Sequence, residues 1–194
     1  MKIGILALQG AFIEHEEIVR KLGATVIEIR QLSDLEEDID GIILPGGEST
    51  AQGKLLKELG LLQVLKEKIK SGLPVMGVCA GLILLAEKLS NDTKQHLGTL
   101  PIKVKRNAYG RQLGSFSSQS IVKDIGTVPM TFIRSPYIEE VAPNVEVLAK
   151  VDEKIVGVRF QNQIGLSFHP ELTNSFKVHH YFIELCKKNS LKNL

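Results

Sequence analysis

Cysteine is scarce in this sequence: Cys79 and Cys186 are the two present in 194 residues. Two are too few for a disulfide scaffold, so each thiol must be read on its own chemistry. Long apolar runs are missing as well. Stretches such as Ile42 to Leu44 and Leu82 to Ala86 fall far short of the ~20 residues that cross a bilayer, and no membrane span is expected. Charge of one sign is lacking too: the formal net charge is +2, and the densest basic cluster, Lys187-Lys188, reads as the polar end of a helix. Nucleic-acid binding needs a basic stripe and is not expected. Met1-Lys2 passes straight into a strand-like segment, without the charged start, apolar core and cleavage site of a secretory signal, so a cytoplasmic location is expected. No linker, repeat or low-complexity tract divides residues 1–194, which read as one domain. Zinc spacings such as His-Glu-x-x-His are also absent, and neither a metal nor another cofactor is expected.

Apolar patterning supplies the fold class. Lys2 to Gln9, Thr25 to Ile29, Gly41 to Leu44 and Pro74 to Val78 read as strands. Helical patterns fall between them at Ile13 to Leu22, Thr50 to Leu59 and Leu61 to Lys70, and another follows at Gly81 to Leu89. Strands apolar throughout, alternating with helices, predict an α/β open parallel sheet covered on both faces. From Ile102 onward shorter runs, Ile102 to Arg106, Met130 to Arg134, Val145 to Val151, Ile155 to Phe160 and Ile164 to Phe168, suggest antiparallel additions to that sheet. Gly110 to Ser120 reads as a loop or an edge hairpin. A last amphipathic helix is expected from about Phe176 to Lys187, with Phe176, His180, Ile183 and Leu185 facing inward.

Cys79 lies in Gly77-Val78-Cys79-Ala80-Gly81, after a strand and before a helix. A nucleophile on such a sharp turn leaves no room for side chains two positions to either side, which favours glycine at both. The N-terminus of the following helix favours thiolate over thiol. Taken alone, the pattern equally fits a small core cysteine between packing glycines. Cys186, without flanking glycines, reads as filler.

Phe168-His169-Pro170-Glu171-Leu172 closes a late strand. In an open sheet, functional side chains gather beyond the carboxyl ends of strands, where a base for Cys79 and a carboxylate to orient it would be wanted. Without a nucleophile in view the pair would read as a solvated turn. Pro45-Gly46-Gly47-Glu48-Ser49-Thr50 has Glu48 where a phosphate loop has lysine, so a zwitterionic ligand fits better than a phosphate, and its amides could hold an oxyanion; a plain tight turn is the alternative. Arg106 and Arg134 each close a strand-like run, either as carboxylate forks or as structural arginines. His15, among Glu14, Glu16 and Glu17, reads as part of a solvated face, His96 as a loop residue, and His179 as a helical residue without a nearby carboxylate.

Together these pieces resemble class I (triad) glutamine amidotransferases. The segments Leu8-Gln9-Gly10, Pro45 to Thr50, Cys79-Ala80-Gly81-Leu82, Arg106-Asn107-Ala108-Tyr109-Gly110-Arg111-Gln112, Phe132-Ile133-Arg134 and Phe168 to Thr173 narrow the resemblance to the glutaminase subunits of pyridoxal 5'-phosphate synthase. The resemblance implies a Cys79, His169 and Glu171 triad that hydrolyses L-glutamine. It also implies substrate contacts from Gly47, Glu48, Ser49, Arg106, Ile133 and Arg134, and an oxyanion site near Gly47, Ala80 or Gly10. It further implies a hetero-oligomeric complex with a synthase subunit that receives the ammonia. Ala51-Gln52, Val78 and Arg159-Phe160 depart from the family's usual residues. A glutaminase subunit of another pathway, or a DJ-1-like elbow-cysteine protein, are the competing readings.

Overall fold

The structure, a computed structural model, describes residues 1–90, 92–106 and 115–192. Asn107 to Gln112 of the arginine-containing motif, and the Gly110 to Gly114 part of the expected loop or hairpin, lie outside the described residues.

The first half is a strand–helix alternation: β1 (Lys2–Leu6), α1 (Phe12–Lys21), β2 (Thr25–Ile29), β3 (Gly41–Leu44), α2 (Ser49–Glu58), α3 (Leu61–Lys70), β4 (Val75–Val78) and α4 (Ala80–Leu85). The second half is mainly strand: β5 (Ala86–Leu89), β6 (Leu100–Lys105), β7 (Ser115–Val122), β8 (Gly126–Ile133), β9 (Tyr137–Val141), β10 (Glu146–Val151), β11 (Lys154–Phe160) and β12 (Gln163–Leu166). The chain then turns through a 3-10 turn, Pro170–Leu172, into α5 (Lys177–Lys192).

Along the main sheet the strands run β2-β1-β3-β4-β12-β11-β9-β6-β5, with β10 pairing β11, while β7 and β8 form a separate hairpin. Strands β2, β1, β3, β4 and β12 are consecutive and mutually parallel. Antiparallel pairings of β11 with β12 and β10, and of β6 with β9, then extend the sheet as expected. Met130 to Arg134 does not join it: that run falls in β8 of the separate hairpin, and Tyr137–Val141 supplies the strand between β11 and β6 instead.

Side-chain alternation divides the core between the two sheet faces. Ile3 and Ile5 of β1, Ile43 of β3, and Met76 and Val78 of β4 pack on one side with Val19 of α1 and Phe182 and Ile183 of α5. Their neighbours Ile42, Leu44 and Val75 pack on the other side with Leu56, Leu65 and Leu84 from α2, α3 and α4. A strand buried on both faces has no polar positions, which is why these segments read as unbroken apolar runs. Each such side chain contributes about 1.5–3 kcal/mol on burial.

Two further expectations need correction. Gly81 to Leu89 is not one helix: α4 stops at Leu85, and Ala86–Leu89 pairs with β6 as an edge strand. Glu87-Lys88-Leu89 is compatible with helix locally, and the strand arises from a non-local pairing that propensity does not see. In α5, Phe176 precedes the helix and is exposed, as is His180, while Val178, His179, Phe182, Ile183 and Cys186 are buried. The inward stripe therefore starts two residues later than the sequence suggests.

Candidate active site

Four neighbouring parallel strands end on the same edge of the sheet, and each delivers a segment to one cavity of about 500 Å³. After β1 comes Gln9 to Ala11, after β3 Gly46 to Ser49, after β4 Cys79, and after β12 His169.

Cys79 sits at φ 50° and ψ −96°, capping α4. Its N–H donates to the Leu166 carbonyl at 2.8 Å and its carbonyl accepts from Ile83 at 3.2 Å, so the strained residue is held from both sides. A Cβ on Gly77 would lie 2.7 Å from the Gly81 carbonyl oxygen, and one on Gly81 would lie 2.1 Å from that of Leu44. Both flanking glycines are thus required by close backbone approach. As the first residues of a helix, Ala80, Gly81 and Leu82 have amides without intrahelical acceptors, directed toward the side of Cys79.

His169 is pinned by its backbone N–H, which donates to Thr131 of β8 at 2.8 Å, so the hairpin helps to place the imidazole. Gly46 leaves the ring its space, since a Cβ there would come within 2.3 Å of His169 Cε1. His169 Nδ1 lies 2.7 Å from Glu171 Oε1, with the Glu171 side chain fully buried. Nε2 makes no hydrogen bond within ordinary limits. Cys79 is nonetheless close enough to act on the ring: burial opposes charge on His169, but Cys79 and Glu171 together outweigh it and raise the pKa to about 10. The arrangement favours a protonated imidazole beside the sulfur, held by a carboxylate behind.

Gly47, Glu48, Ser49, Arg106, Ile133 and Arg134 all line the cavity with Cys79 and His169. Glu48 caps α2, accepting from Thr50 at 3.2 Å and Ala51 at 2.7 Å. Burial acts against its charge, but these amides and Arg106 keep its carboxyl below the usual range. Glu171 stands behind His169, and neither Gly10 nor Ala80 borders the cavity. The turn at Gly10 is tied down instead, with Ala11 N–H donating to the Gly46 carbonyl at 3.0 Å.

Gln9, Ala11, Gly46, Ile83 and Leu172 line the cavity without having been singled out as site residues, although Gln9, Gly46 and Leu172 fall within the motif segments Leu8-Gln9-Gly10, Pro45 to Thr50 and Phe168 to Thr173. Gln9 Oε1 accepts the Glu48 amide at 2.7 Å. Gln52 is buried and donates to the carbonyls of Gln9 at 2.8 Å and Pro45 at 3.3 Å, bracing the first two strand-end turns together.

The reading of His15 as part of a solvated face is wrong. It is 0% exposed, as is His179, and the two rings bond at 2.8 Å. Among the described residues no group of three or more His, Cys, Asp or Glu is placed to hold a metal ion, and no helix is long and apolar enough to cross a membrane.

Known proteins are similar to this chain in sequence and fold. Residues 5–188 match the model of the SNO glutamine amidotransferase family. A "Pyridoxal 5'-phosphate synthase subunit PdxT" from Desulfitobacterium hafniense (strain DSM 10664 / DCB-2) is 59% identical over 184 residues, covering 95% of this chain and 92% of the relative. Its namesake from Haemophilus influenzae (strain PittGG) is 54% identical over 190 residues, covering 96% and 99%. A crystal structure described as a glutamine amidotransferase superposes with a TM-score of 0.92 at 41% identity, covering 95% of this chain and 98% of that one. With an elbow cysteine, a carboxylate-backed histidine and sequence similarity over nearly its whole length, the chain belongs to the SNO glutamine amidotransferase family.

Proposed function

We propose that this chain is the glutaminase subunit of a pyridoxal 5'-phosphate synthase, with Cys79 as nucleophile, His169 as proton carrier and Glu171 as its orienting carboxylate. The observation that carries this reading is the geometry of His169: it lines the same cavity as Cys79, and its Nδ1 is bonded to the buried Glu171 Oε1 at 2.7 Å. The name of the relatives supplies the pathway.

The cavity walls suit a small zwitterion. Arg106 and Arg134 offer guanidinium groups to an α-carboxylate, and Glu48 offers a carboxylate to an ammonium. L-Glutamine bound in this way extends its side-chain amide toward Cys79. The thiolate attacks the amide carbon, and the carbonyl electron pair moves onto oxygen, where amides at Gly47 and Ala80 are the candidate donors. His169 gives its proton to the departing nitrogen, the C–N bond breaks, and ammonia leaves a γ-glutamyl thioester. Neutral His169 next takes a proton from water as that water attacks the thioester, and collapse expels the thiolate and releases glutamate. Glu171 keeps Nδ1–H in place throughout, so that Nε2 is the nitrogen that cycles.

Ammonia released in bulk water is protonated and ceases to be a nucleophile, so the reaction is useful beside its consumer. The chain is accordingly proposed to work in a cytoplasmic hetero-oligomer with the synthase subunit, which takes up the ammonia. The test is glutamate release from glutamine across a titration of that subunit, with pyridoxal phosphate formation followed in parallel. Turnover that rises to saturation with the partner supports the reading. Flat turnover and no association of the two chains would refute both activation by the synthase subunit and the assigned partner.

A further inference from the structure

The proposed triad uses one oxygen of Glu171. Oε1 bonds His169, while Oε2 is buried without a hydrogen-bond partner. His15 Nε2 stands 3.6 Å from that Oε2 and is itself buried without a hydrogen-bond partner. An orphaned acceptor and an orphaned ring nitrogen thus face each other, and both side chains are 0% exposed. Buried polar atoms in native proteins are nearly always paired, because an unpaired one costs its full desolvation. The separation is about half an ångström beyond a good N–H···O contact. On the far side of the ring, His15 Nδ1 lies 2.8 Å from His179 Nε2. Helices α1 and α5 therefore each bring a histidine to the back of the triad.

The proton positions follow from charge. Burial, with His179 and His169 nearby, pushes the pKa of His15 well down, and burial takes that of His179 to about 4. Both rings are neutral near pH 7, with one N–H each. A carboxylate can only accept, so His15 serves Glu171 when its proton is on Nε2. Its Nδ1 is then an acceptor, and His179 Nε2–H donates to it. The donors run in one direction, from His179 to His15 to Glu171, and His169 meets the same carboxylate from the other side.

We propose that His15 and His179 are positioning residues of this site: His15 Nε2–H closes onto Glu171 Oε2 and fixes the carboxylate that grips His169, and His179 fixes the tautomer of His15. The inference rests on the glutaminase reading. It also ties the two sides of the site together, because α1 follows directly on the Gln9 to Ala11 turn that lines the cavity.

The experiment compares His15→Gln, His15→Asn and His15→Leu in the full chain with the pyridoxal phosphate synthase subunit present, with thermal midpoints reporting the fold. Glutamine can place an amide N–H where Nε2 lies, asparagine reaches the Nδ1 position alone, and leucine fills the space with no donor. Positioning predicts that Gln keeps most of kcat, whereas Asn and Leu lose roughly 10- to 100-fold at unchanged KM for glutamine. Alkylation of Cys79 by iodoacetamide needs neither glutamine nor partner, and is expected to slow in the same order. A packing role predicts the reverse, with Leu tolerated best. Equal kcat and equal alkylation in the folded variants, or losses that track the thermal midpoint, overturn the proposal. If Leu fails to fold, the Gln and Asn pair still decides. A wild-type chain that releases no glutamate yet shows the Gln-above-Asn alkylation order would sink the glutaminase reading and leave the positioning one standing.

Discussion

Arg106 Nη2 lies 3.4 Å from Glu48 Oε1, so the two residues proposed to read opposite ends of a zwitterion also answer each other. Neither is loose. Arg106 also reaches Thr50 Oγ1 at 3.1 Å and Asp92 Oδ2 at 3.1 Å, and Glu48 takes two amides at the start of α2. An amino acid arriving between them exchanges one partly exposed ion pair, worth little in itself, for two contacts made to charge.

Glu48→Gln should therefore act on binding. Glutamine keeps the length of the side chain and can still accept from the α2 amides, but it no longer complements an ammonium. The expected outcome is a KM for glutamine raised about 10-fold or more with kcat little changed, the size associated with a lost hydrogen bond to a charged group. Steady-state glutamate release with the synthase partner present measures both constants. A fall in kcat at constant KM would place Glu48 in the chemistry instead.

The two thiols should differ sharply. Cys79 borders the cavity beside His169, whereas Cys186 is buried on α5, and burial, reinforced by Asp40, pushes its thiol pKa up. Cys79→Ala should abolish glutamate release with the fold intact, while Cys186→Ala leaves turnover within about two-fold of wild type, since it touches no group in the proposed mechanism. Mass spectrometry after iodoacetamide at neutral pH should find the label on Cys79 and reach Cys186 only after unfolding. Ordinary turnover by Cys79→Ala would remove the basis for a covalent mechanism.

What the sequence could and could not disclose follows from how local each feature is. The elbow is written in five residues: Gly77 answers the Gly81 carbonyl inside the turn itself, Gly81 marks a close approach to Leu44 of β3 yet falls in the same short segment, and His169-Pro170-Glu171 is equally compact. Strand β3 falls where its apolar run predicts, since burial on both faces leaves an unbroken signal, and β2 also falls where expected although it is a partly exposed edge strand. Strand β5 was hidden because its reason to exist lies in β6. His15 was hidden by its glutamate neighbours, yet His15, Ile18 and Val19 are all buried and spaced as one helix face, a periodicity that outweighs the composition around it. Its partners Glu171 and His179 are more than 150 residues away, and no local pattern could have named them.

The buried histidines should shape acid stability. Folding lowers the pKa of His179 to about 4 and that of His15 well below its usual value, whereas an unfolded histidine titrates near 6.5. Below about pH 6.5 the unfolded state takes up protons that the native state refuses, so stability falls as pH drops through this window, by up to ~1.4 kcal/mol per pH unit for each proton. His169, raised to about 10, stays protonated in the native state throughout, so it adds an opposing slope near pH 7 that fades as its unfolded form also protonates below about pH 6.5. Urea unfolding at intervals from pH 7 to pH 4.5 should give a steeper decline for wild type than for His179→Leu. Parallel declines would mean that His179 is protonated in the native state.

Gly81→Ala offers the clearest contest between two opposed effects. Gly81 is in a helix, where replacing glycine by alanine ordinarily stabilises by about 0.5–1 kcal/mol. Here the added Cβ would stand 2.1 Å from the Leu44 carbonyl oxygen and 2.8 Å from the Leu44 Cβ, on a strand fully buried on both faces. Backbone cannot yield as a flexible side chain does, so α4 must move away from β3, and overpacking of this kind costs roughly 1–3 kcal/mol. The steric term is the larger, and the expected result is a net loss of stability despite the improved helix propensity. Because α4 carries Cys79 at its N-terminus, the same displacement draws the sulfur out of line with His169, and kcat should fall by about 100-fold even in the folded fraction. Urea unfolding together with glutamate release normalised to folded protein tests both parts. A variant as stable as wild type would show that the elbow tolerates a methyl group where the close approach of α4 to β3 forbids one.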